Sequence, residues 1–300
     1  MPVAFEMLAY AKVNLFLDVL GLRDDDYCEL DTVFQEIDLA DRMEFSFVSN
    51  GKSCFEFFSD KYLCPEKDNL IYKAFRIFSK SFSADFSIRV YLKKEIPIGA
   101  GLGGGSSNAA TTLLAMARYT GVPLEDLYGL AEQLGADVPF FLKGGRARAK
   151  GRGEKIEQLS SCRECLTERC LIVYPKLNVS TSKVFGYMKH LLTKEVGCDK
   201  KRLLFLQKNG FNPDGFCFCR SENGSSQNSL EEVALSLYPD LRQVKKDLRH
   251  LGFPFLQMSG SGSSFFSKIP ALFEDSKLLD LVTHLGYDAF FSKPVFRESS

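Results

Sequence analysis

The sequence contains no tryptophan, no excess of either charge and no long apolar run. Lys plus Arg and Asp plus Glu are both 38. That balance gives no general attraction for nucleic acid or an anionic membrane, so any anion must be held by local groups. No stretch approaches the ~18 apolar residues of a membrane helix. Residues 1–8 are too few for a targeting peptide, and patterned sequence begins by Ala9. The nine cysteines are odd in number and irregular in spacing. They read as reduced thiols in the cytoplasm, not as a disulfide framework. Cys162-x-x-Cys165 has ligand-like spacing, with Cys170, Cys217 and Cys219 also available, but no clean second pair follows. A zinc site is therefore a minor alternative, and no metal ligand is assigned. What the chain does have is 27 phenylalanines and a hydrophobic fraction of 45%. Three hundred residues fit one large or two ordinary domains.

One stretch organises the rest. Pro97 to Met116 opens with five glycines between Gly99 and Gly105, then Ser106, Ser107 and Asn108. Glycine tolerates positive φ and lets another group approach the backbone. Ala109, Ala110, Leu113, Leu114 and Ala117 follow at helical spacing, with a stop at Gly121 and Pro123 beyond. Upstream, Ile88, Val90 and Leu92 alternate with Arg89, Tyr91 and Lys93, which makes a strand. Strand, glycine loop and helix N-terminus make an anion site, and the ligand expected there is a polyphosphate. No Gly-Lys-Ser/Thr closes this loop, so it is not a Walker A motif. Gly99-x-Gly101-x-x-Gly104 fits the dinucleotide fingerprint, but the region some 20 residues on opens another helix instead of ending a strand in an acidic residue.

Elsewhere, Val13, Leu15, Leu17 and Val19 define a strand that puts Lys12 and Asn14 on one face. Lys12 is either an ordinary solvated lysine or a functional one. Gly21 to Tyr27 is a turn with three aspartates, of which Asp24 and Asp25 read as solvated. Val33 to Leu39 and Met43 to Phe47 read as two strands, with Phe55 to Phe58 pairing alongside. Asp68 is expected to cap a helix to about Ser79. Asp137, between Gly135 and Pro139, reads as an N-cap that can also present an oxygen to a ligand. Lys143 to Lys155 reads as a basic, glycine-rich turn into a last strand. Polar residues from Gln158 to Glu168 suggest a boundary. Beyond it are a strand at Leu171–Tyr174, a helix over Ser180–Leu192 and a polar loop over Asn209–Asn228. A capping box at Ser229 opens a helix to about Leu251. Phe255–Met258 and Ser264–Ser267 read as strands around Ser259-Gly260-Ser261-Gly262-Ser263. A helix near Leu272–Leu285 and a strand near Ala289–Phe291 close an α+β chain.

Ala11-Lys12-Val13-Asn14, Asp68-Asn69-Leu70, Pro97 to Ala110, Gly135-Ala136-Asp137-Val138-Pro139 and Met258-Ser259-Gly260-Ser261-Gly262 occur in order at compatible spacing. Together they resemble the galactokinase, homoserine kinase, mevalonate kinase and phosphomevalonate kinase (GHMP) superfamily. Within it they most resemble the 4-diphosphocytidyl-2-C-methyl-D-erythritol kinases of the non-mevalonate isoprenoid pathway, over nearly the whole chain. The resemblance implies an α+β, two-domain fold. Residues 1–160 would be a ribosomal-protein-S5-like, ATP-binding domain, and residues 161–300 a ferredoxin-like domain. It implies ATP as co-substrate with Mg²⁺, a small diphosphocytidyl alcohol as acceptor, and no nucleic-acid or membrane partner. Asp137 would be the base and Lys12 its charged partner. Asn69 and Lys94 would lie near the adenine. Pro97, Ile98, Gly99, Ala100, Gly101, Leu102, Gly103, Gly104, Gly105, Ser106 and Ser107 would hold the nucleotide phosphates, with Ser107 a candidate Mg²⁺ contact. Asn14, Tyr27, Cys28, Thr181, Phe185, Gly260, Ser261 and Gly262 would meet the substrate, Tyr27 and Phe185 flanking the cytosine. The family's usual Gly-Tyr-His is here Asp26-Tyr27-Cys28, so the imidazole at the cytosine edge is missing. Two other readings stand beside this one: another small-alcohol kinase of the superfamily, such as a homoserine or mevalonate kinase, and a non-catalytic nucleotide sensor on the same fold.

Overall fold

A computed structural model describes residues 3–49, 51, 53–83, 85–160, 169–193, 228–253, 255–269 and 274–297. The chain packs as two compact units. One comprises Met1–Ala11, Leu39–Ile98 and Gly103–Gly144, and the other comprises Lys12–Asp38, Gly99–Leu102 and Gly145–Ser300. Two long strands that pair with each other, β1 (Val3–Leu22) and β2 (Cys28–Ser49), contribute to both units. The sequence suggested a break in β2 around Asp41. The strand runs through instead, because the Asp41 carboxylate is buried and fully hydrogen-bonded.

In the first unit, Arg42–Ser49 of β2 pairs antiparallel with β4 (Phe86–Lys93). The strand β3 (Cys54–Ser59) pairs in parallel with β4, not with β2 as expected. Parallel neighbours need a crossover connection, and α1 (Leu70–Phe82) supplies it, burying Ile71, Ala74, Phe75 and Phe78 along one stripe. The cap of α1 is Asn69, whose Oδ1 accepts from Ile71 N at 2.9 Å, while Asp68 lies in a preceding 3-10 turn. The helix α2 (Gly104–Thr120) ends at Gly121, as expected, but it begins after Gly103, ahead of Ser106, Ser107 and Asn108, and both bounding glycines are at positive φ. Its small side chains let it bury residues on almost every face. Two shorter helices, α3 (Tyr128–Leu134) and α4 (Val138–Lys143), complete the unit. Phenylalanine does the work of the missing tryptophan. The Phe47 ring stacks on Tyr119 at 4.5 Å between centroids, with Phe5, Phe45 and Phe86 around them.

In the second unit, Leu30–Gln35 of β2 pairs antiparallel with β5 (Arg146–Gly151), which turns back into β6 (Lys155–Gln158). The expected basic turn is thus a hairpin. Arg146, Arg148 and Lys150 alternate with Ala147 and Ala149, and Arg148 grips the Asp31 carboxylate through Nε at 2.8 Å and Nη2 at 2.5 Å. A second, antiparallel sheet has the order β10 (Asp288–Ser292), β7 (Cys170–Tyr174), β9 (Phe265–Lys268), β8 (Gln257–Met258). With it go α5 (Thr181–Thr193), α6 (Ser229–Leu237), α7 (Pro239–His250) and α8 (Asp275–His284). The single helix expected over Ser229–Leu251 is two, because the residue before Pro239 is pushed out of helical geometry. Asn228 caps α6, and Ser229 donates its hydroxyl to Asp18. Cys162, Cys165, Cys217 and Cys219, residues 161–168 of the suggested Gln158–Glu168 boundary and most of the polar loop lie outside the described residues.

Candidate active site

In the second unit, β1 presents Lys12 and Asn14 two residues apart, hence on one face. Lys12 Nζ donates to Asn14 Oδ1 at 2.7 Å and lies 5.1 Å from the centre of the Phe34 ring. Asn14 in turn donates to Thr32 Oγ1 at 2.8 Å, and Thr32 donates to the Phe16 carbonyl. The ammonium is therefore buried and held from below. The backbone beside it is glycine. The loop Gly99–Leu102 is tied to β1 by Lys12 N donating to Leu102 O at 3.0 Å. Ser259 Oγ donates to Gly101 O at 2.9 Å, and Ser264 N to Ala100 O at 3.0 Å. A Cβ added to Gly260 would lie 3.4 Å from Asn14 Oδ1 and 3.5 Å from Lys12 Nζ. Thr181 and Ser261 share a hydrogen bond of 2.8 Å. Lys12, Asn14, the first half of the glycine loop, Gly260, Ser261 and Thr181 are thus one connected group. Two residues that sequence reasoning missed fasten it. Asn228 donates to the carbonyls of Met258 and Gly260, and Gln257, fully buried, donates to Asn14 O at 2.8 Å. Both act through backbone groups far away in sequence, and side chains of this kind leave no local motif.

In the first unit, Gly103 to Ser107 start α2, whose first intrahelical bond runs from Ser107 N to Gly103 O at 2.9 Å. The N–H groups ahead of it have no intrahelical acceptor, and the helix dipole adds positive potential there. Gly105 is exposed and Ser106 half-buried, whereas Ser107 is buried. Gly104 packs closely. A Cβ there would meet Lys94 Nζ at 2.9 Å and Ile96 Cγ2 at 3.0 Å. Lys94 is buried and pairs with Asp41 at 2.6 Å. Burial pulls its ammonium pKa below the ordinary lysine value, and the Asp41 charge opposes that shift. Pro97 is half-buried and Ile98 exposed. Asn69 spends its side-chain oxygen on the α1 cap, which leaves its amide N–H groups to another partner.

Asp137 occupies the N-cap position of α4, with Pro139 in the first turn, as expected. Its side chain makes no capping hydrogen bond, unlike Asn69 and Asn228.

The suggested cytosine residues are spread over the second unit. Tyr27 is 53% exposed at the end of the aspartate turn. The Arg152 guanidinium lies 5.0 Å and Lys189 Nζ 5.8 Å from its ring centre. Phe185 and Lys189 are one turn apart on α5, so they share a helix face. That face reaches the turn, because Lys189 also pairs with Asp26 at 3.0 Å. Cys28 is buried in the apolar core with Leu17, Val19 and Leu30, and burial pushes its thiol pKa up.

Residues 69–145 match the family model of the GHMP kinases N-terminal domain. Curated relatives named 4-diphosphocytidyl-2-C-methyl-D-erythritol kinase are similar along nearly the whole chain. The one from Protochlamydia amoebophila is 37% identical over 90% of this chain and 88% of its own length. The one from Thermotoga maritima is 36% identical over 88% and 92%. The chain belongs to the 4-diphosphocytidyl-2-C-methyl-D-erythritol kinase family. A crystal structure titled 4-(cytidine 5'-diphospho)-2C-methyl-D-erythritol kinase superposes with a TM-score of 0.73 at 33% identity, covering 97% of this chain and 99% of that one. Homoserine kinase from Cytophaga hutchinsonii (TM-score 0.70, 17% identical) shares the fold alone, covering 97% of this chain and 95% of its own. The architecture is the two-domain α+β GHMP kinase fold, and the chain is a kinase.

Proposed function

We propose that this kinase transfers the γ-phosphate of ATP to the 2-hydroxyl of 4-diphosphocytidyl-2-C-methyl-D-erythritol. The observation that carries the reading is the Lys12 group. A buried ammonium, held by Asn14, lies beside backbone that is glycine at 260, where a phosphate or hydroxyl can approach closely. Phosphoryl transfer relies on positioning and charge stabilisation more than on covalent help. In this reading the N–H groups of Gly103 to Ser107 hold phosphate oxygens, with Pro97 to Leu102 shaping the loop before them. Lys94 and Asn69 serve the adenine end. Asp137 accepts the proton of the attacking hydroxyl, and Lys12 polarises that hydroxyl. Tyr27 and Phe185 hold the cytosine between rings, while backbone groups at Cys28 read its edge. Thr181, Ser261 and Gly262 line the acceptor side.

Mg²⁺ would arrive with ATP. Among the described residues no group of three His, Cys, Asp or Glu side chains could hold a metal ion. Mg²⁺ commonly keeps to substrate phosphates and one or two protein oxygens. No step is routed through it. We place the enzyme in the cytoplasm with a small-molecule acceptor. Among the described residues no helix is long and apolar enough to cross a membrane.

The test is phosphorylation by ATP of 4-diphosphocytidyl-2-C-methyl-D-erythritol beside mevalonate and homoserine. Turnover of the cytidine alcohol alone is the expected result. Turnover of either other alcohol at a comparable kcat/KM, or of none, refutes the assignment.

A further inference from the structure

Asp41 belongs to no motif that the sequence offered, and it is the most completely engaged carboxylate of the first unit. It is fully buried in the middle of β2. Its Oδ1 accepts from the backbone N–H groups of Glu95 and Ile96, both at 2.8 Å. Its Oδ2 accepts from Lys94 Nζ at 2.6 Å and from Asn108 Nδ2 at 2.9 Å. A carboxylate has about four lone-pair sites, and all four are used. The donors come from both ends of one segment. Lys94, Glu95 and Ile96 lead into the glycine loop, and Asn108 lies in the first turns of the helix that follows it.

We infer that Asp41 is a positioning residue for the nucleotide: it fixes the entry and exit of the glycine loop and aims Lys94 at the start of α2. The inference rests on the kinase reading above and deepens it. An ammonium carries three N–H donors. Lys94 gives one to Asp41 and one to the Ile96 carbonyl at 2.9 Å, which leaves one for a ligand. Its nitrogen sits against Gly104, the first residue of α2, where a Cβ would lie only 2.9 Å away. Without the carboxylate, the buried lysine loses its ion-pair partner, and the Glu95 and Ile96 N–H groups lose the one oxygen that accepts from both.

The experiment is calorimetry of MgATP binding, together with steady-state kinetics, on the full chain. Asp41→Asn keeps one oxygen for the backbone donors but turns an NH₂ toward Lys94 and Asn108, donor against donor. A lost charge-assisted hydrogen bond corresponds to about 10–100-fold in affinity. We expect ATP Kd and KM to rise by that range, with kcat and the KM for the alcohol within about threefold of wild type. The second variant is Asp41→Leu with Lys94→Met. Replacing a buried ion pair by apolar side chains is often neutral for stability. It should therefore restore the melting temperature of Asp41→Asn without restoring ATP affinity. Folded Asp41→Asn with ATP affinity within about twofold of wild type overturns the inference. So does an apolar double variant that binds ATP like wild type, which would make Asp41 merely structural. A wild-type chain that binds ATP but phosphorylates none of the alcohols refutes the substrate assignment alone, because the binding comparison still decides the role of Asp41.

Discussion

Replacing Gly101 by alanine adds one methyl group at the tightest point of the glycine loop. The residue sits at φ +77°. A Cβ there would run into the Ser259 carbonyl oxygen and lie 2.8 Å from that of Gly262. Both obstacles are backbone, so neither can swing away as a side chain would. Left-handed backbone costs a non-glycine residue about 1–2 kcal/mol. Overpacking of a well-filled site costs about 1–3 kcal/mol more. The sum is roughly 2–5 kcal/mol. At about 2–4 °C per kcal/mol for a unit of this size, the melting temperature should fall by roughly 5–15 °C. Gly105→Ala is the control. Its Cβ would have only Leu70 Cδ1 nearby, at 3.9 Å, and no positive φ opposes it. Alanine is preferred to glycine in a helix by up to about 1 kcal/mol, so this variant should melt no lower than wild type. Yet its methyl group stands at the exposed start of α2, where phosphate is expected, and ATP affinity should drop. Differential scanning calorimetry gives the first quantity and isothermal titration the second. A Gly101→Ala protein that melts within about 1 °C of wild type would refute the steric argument. A Gly105→Ala protein with unchanged ATP affinity would remove the helix start from the nucleotide site.

Asp137→Asn should lower kcat by ~10²–10⁴ with ATP affinity nearly unchanged, since a general base acts in the transition state; near-normal turnover would leave Asp137 as a cap position only. Lys12→Met should lose a comparable amount, and the two losses should not add in the double variant. Tyr27→Ala should raise KM for the cytidine alcohol, consistent with the ~1–3 kcal/mol that base–aromatic stacking provides elsewhere. Cys28→Ala should leave that KM nearly unchanged because the thiol lies in the apolar core, and the opposite ranking would reverse the roles. Of the four cysteines described, exposed Cys54 should alkylate first, and buried Cys28 and Cys170 last. Burial raises the pKa of both buried thiols, which keeps them protonated at about pH 8 where an ordinary cysteine begins to ionise. Mass spectrometry of a timed iodoacetamide reaction reads the order, and early labelling of Cys170 would contradict its burial.

The fold was legible in the sequence where local chemistry decides it. Gly121 ends α2 as the glycine pattern required, and the alternation of Ile88, Val90 and Leu92 is the buried face of β4. It was less legible where partners decide. Phe55 to Phe58 looked like a strand, but nothing local says that it pairs in parallel with β4 across α1 instead of with β2. Asn69 and Asn228 outcompete the neighbouring Asp68 and Ser229 as caps. The pattern of capping residues is the same one position to either side, so only the packed helix axis chooses. Arg146 to Lys150 looked like a basic turn because its polar face is charged. The matching acid, Asp31, stands across the sheet on β2.

The same distinction separates the parts of the site. The glycine loop and Gly260 are noticeable because glycine runs are rare, whereas Lys12 alone reads as either a solvated or a functional lysine. Asp41 does not. In Asp38-Leu39-Ala40-Asp41-Arg42 it reads as polar punctuation between two apolar strands. Its four donors lie 53 to 67 positions further along the chain. A carboxylate buried without them would cost several kcal/mol, so a buried acidic residue inside a strand is an unfinished statement until its partners are found. Here the partners are the two ends of the glycine loop. A residue that no motif contains is therefore placed to decide whether the motif has its working shape.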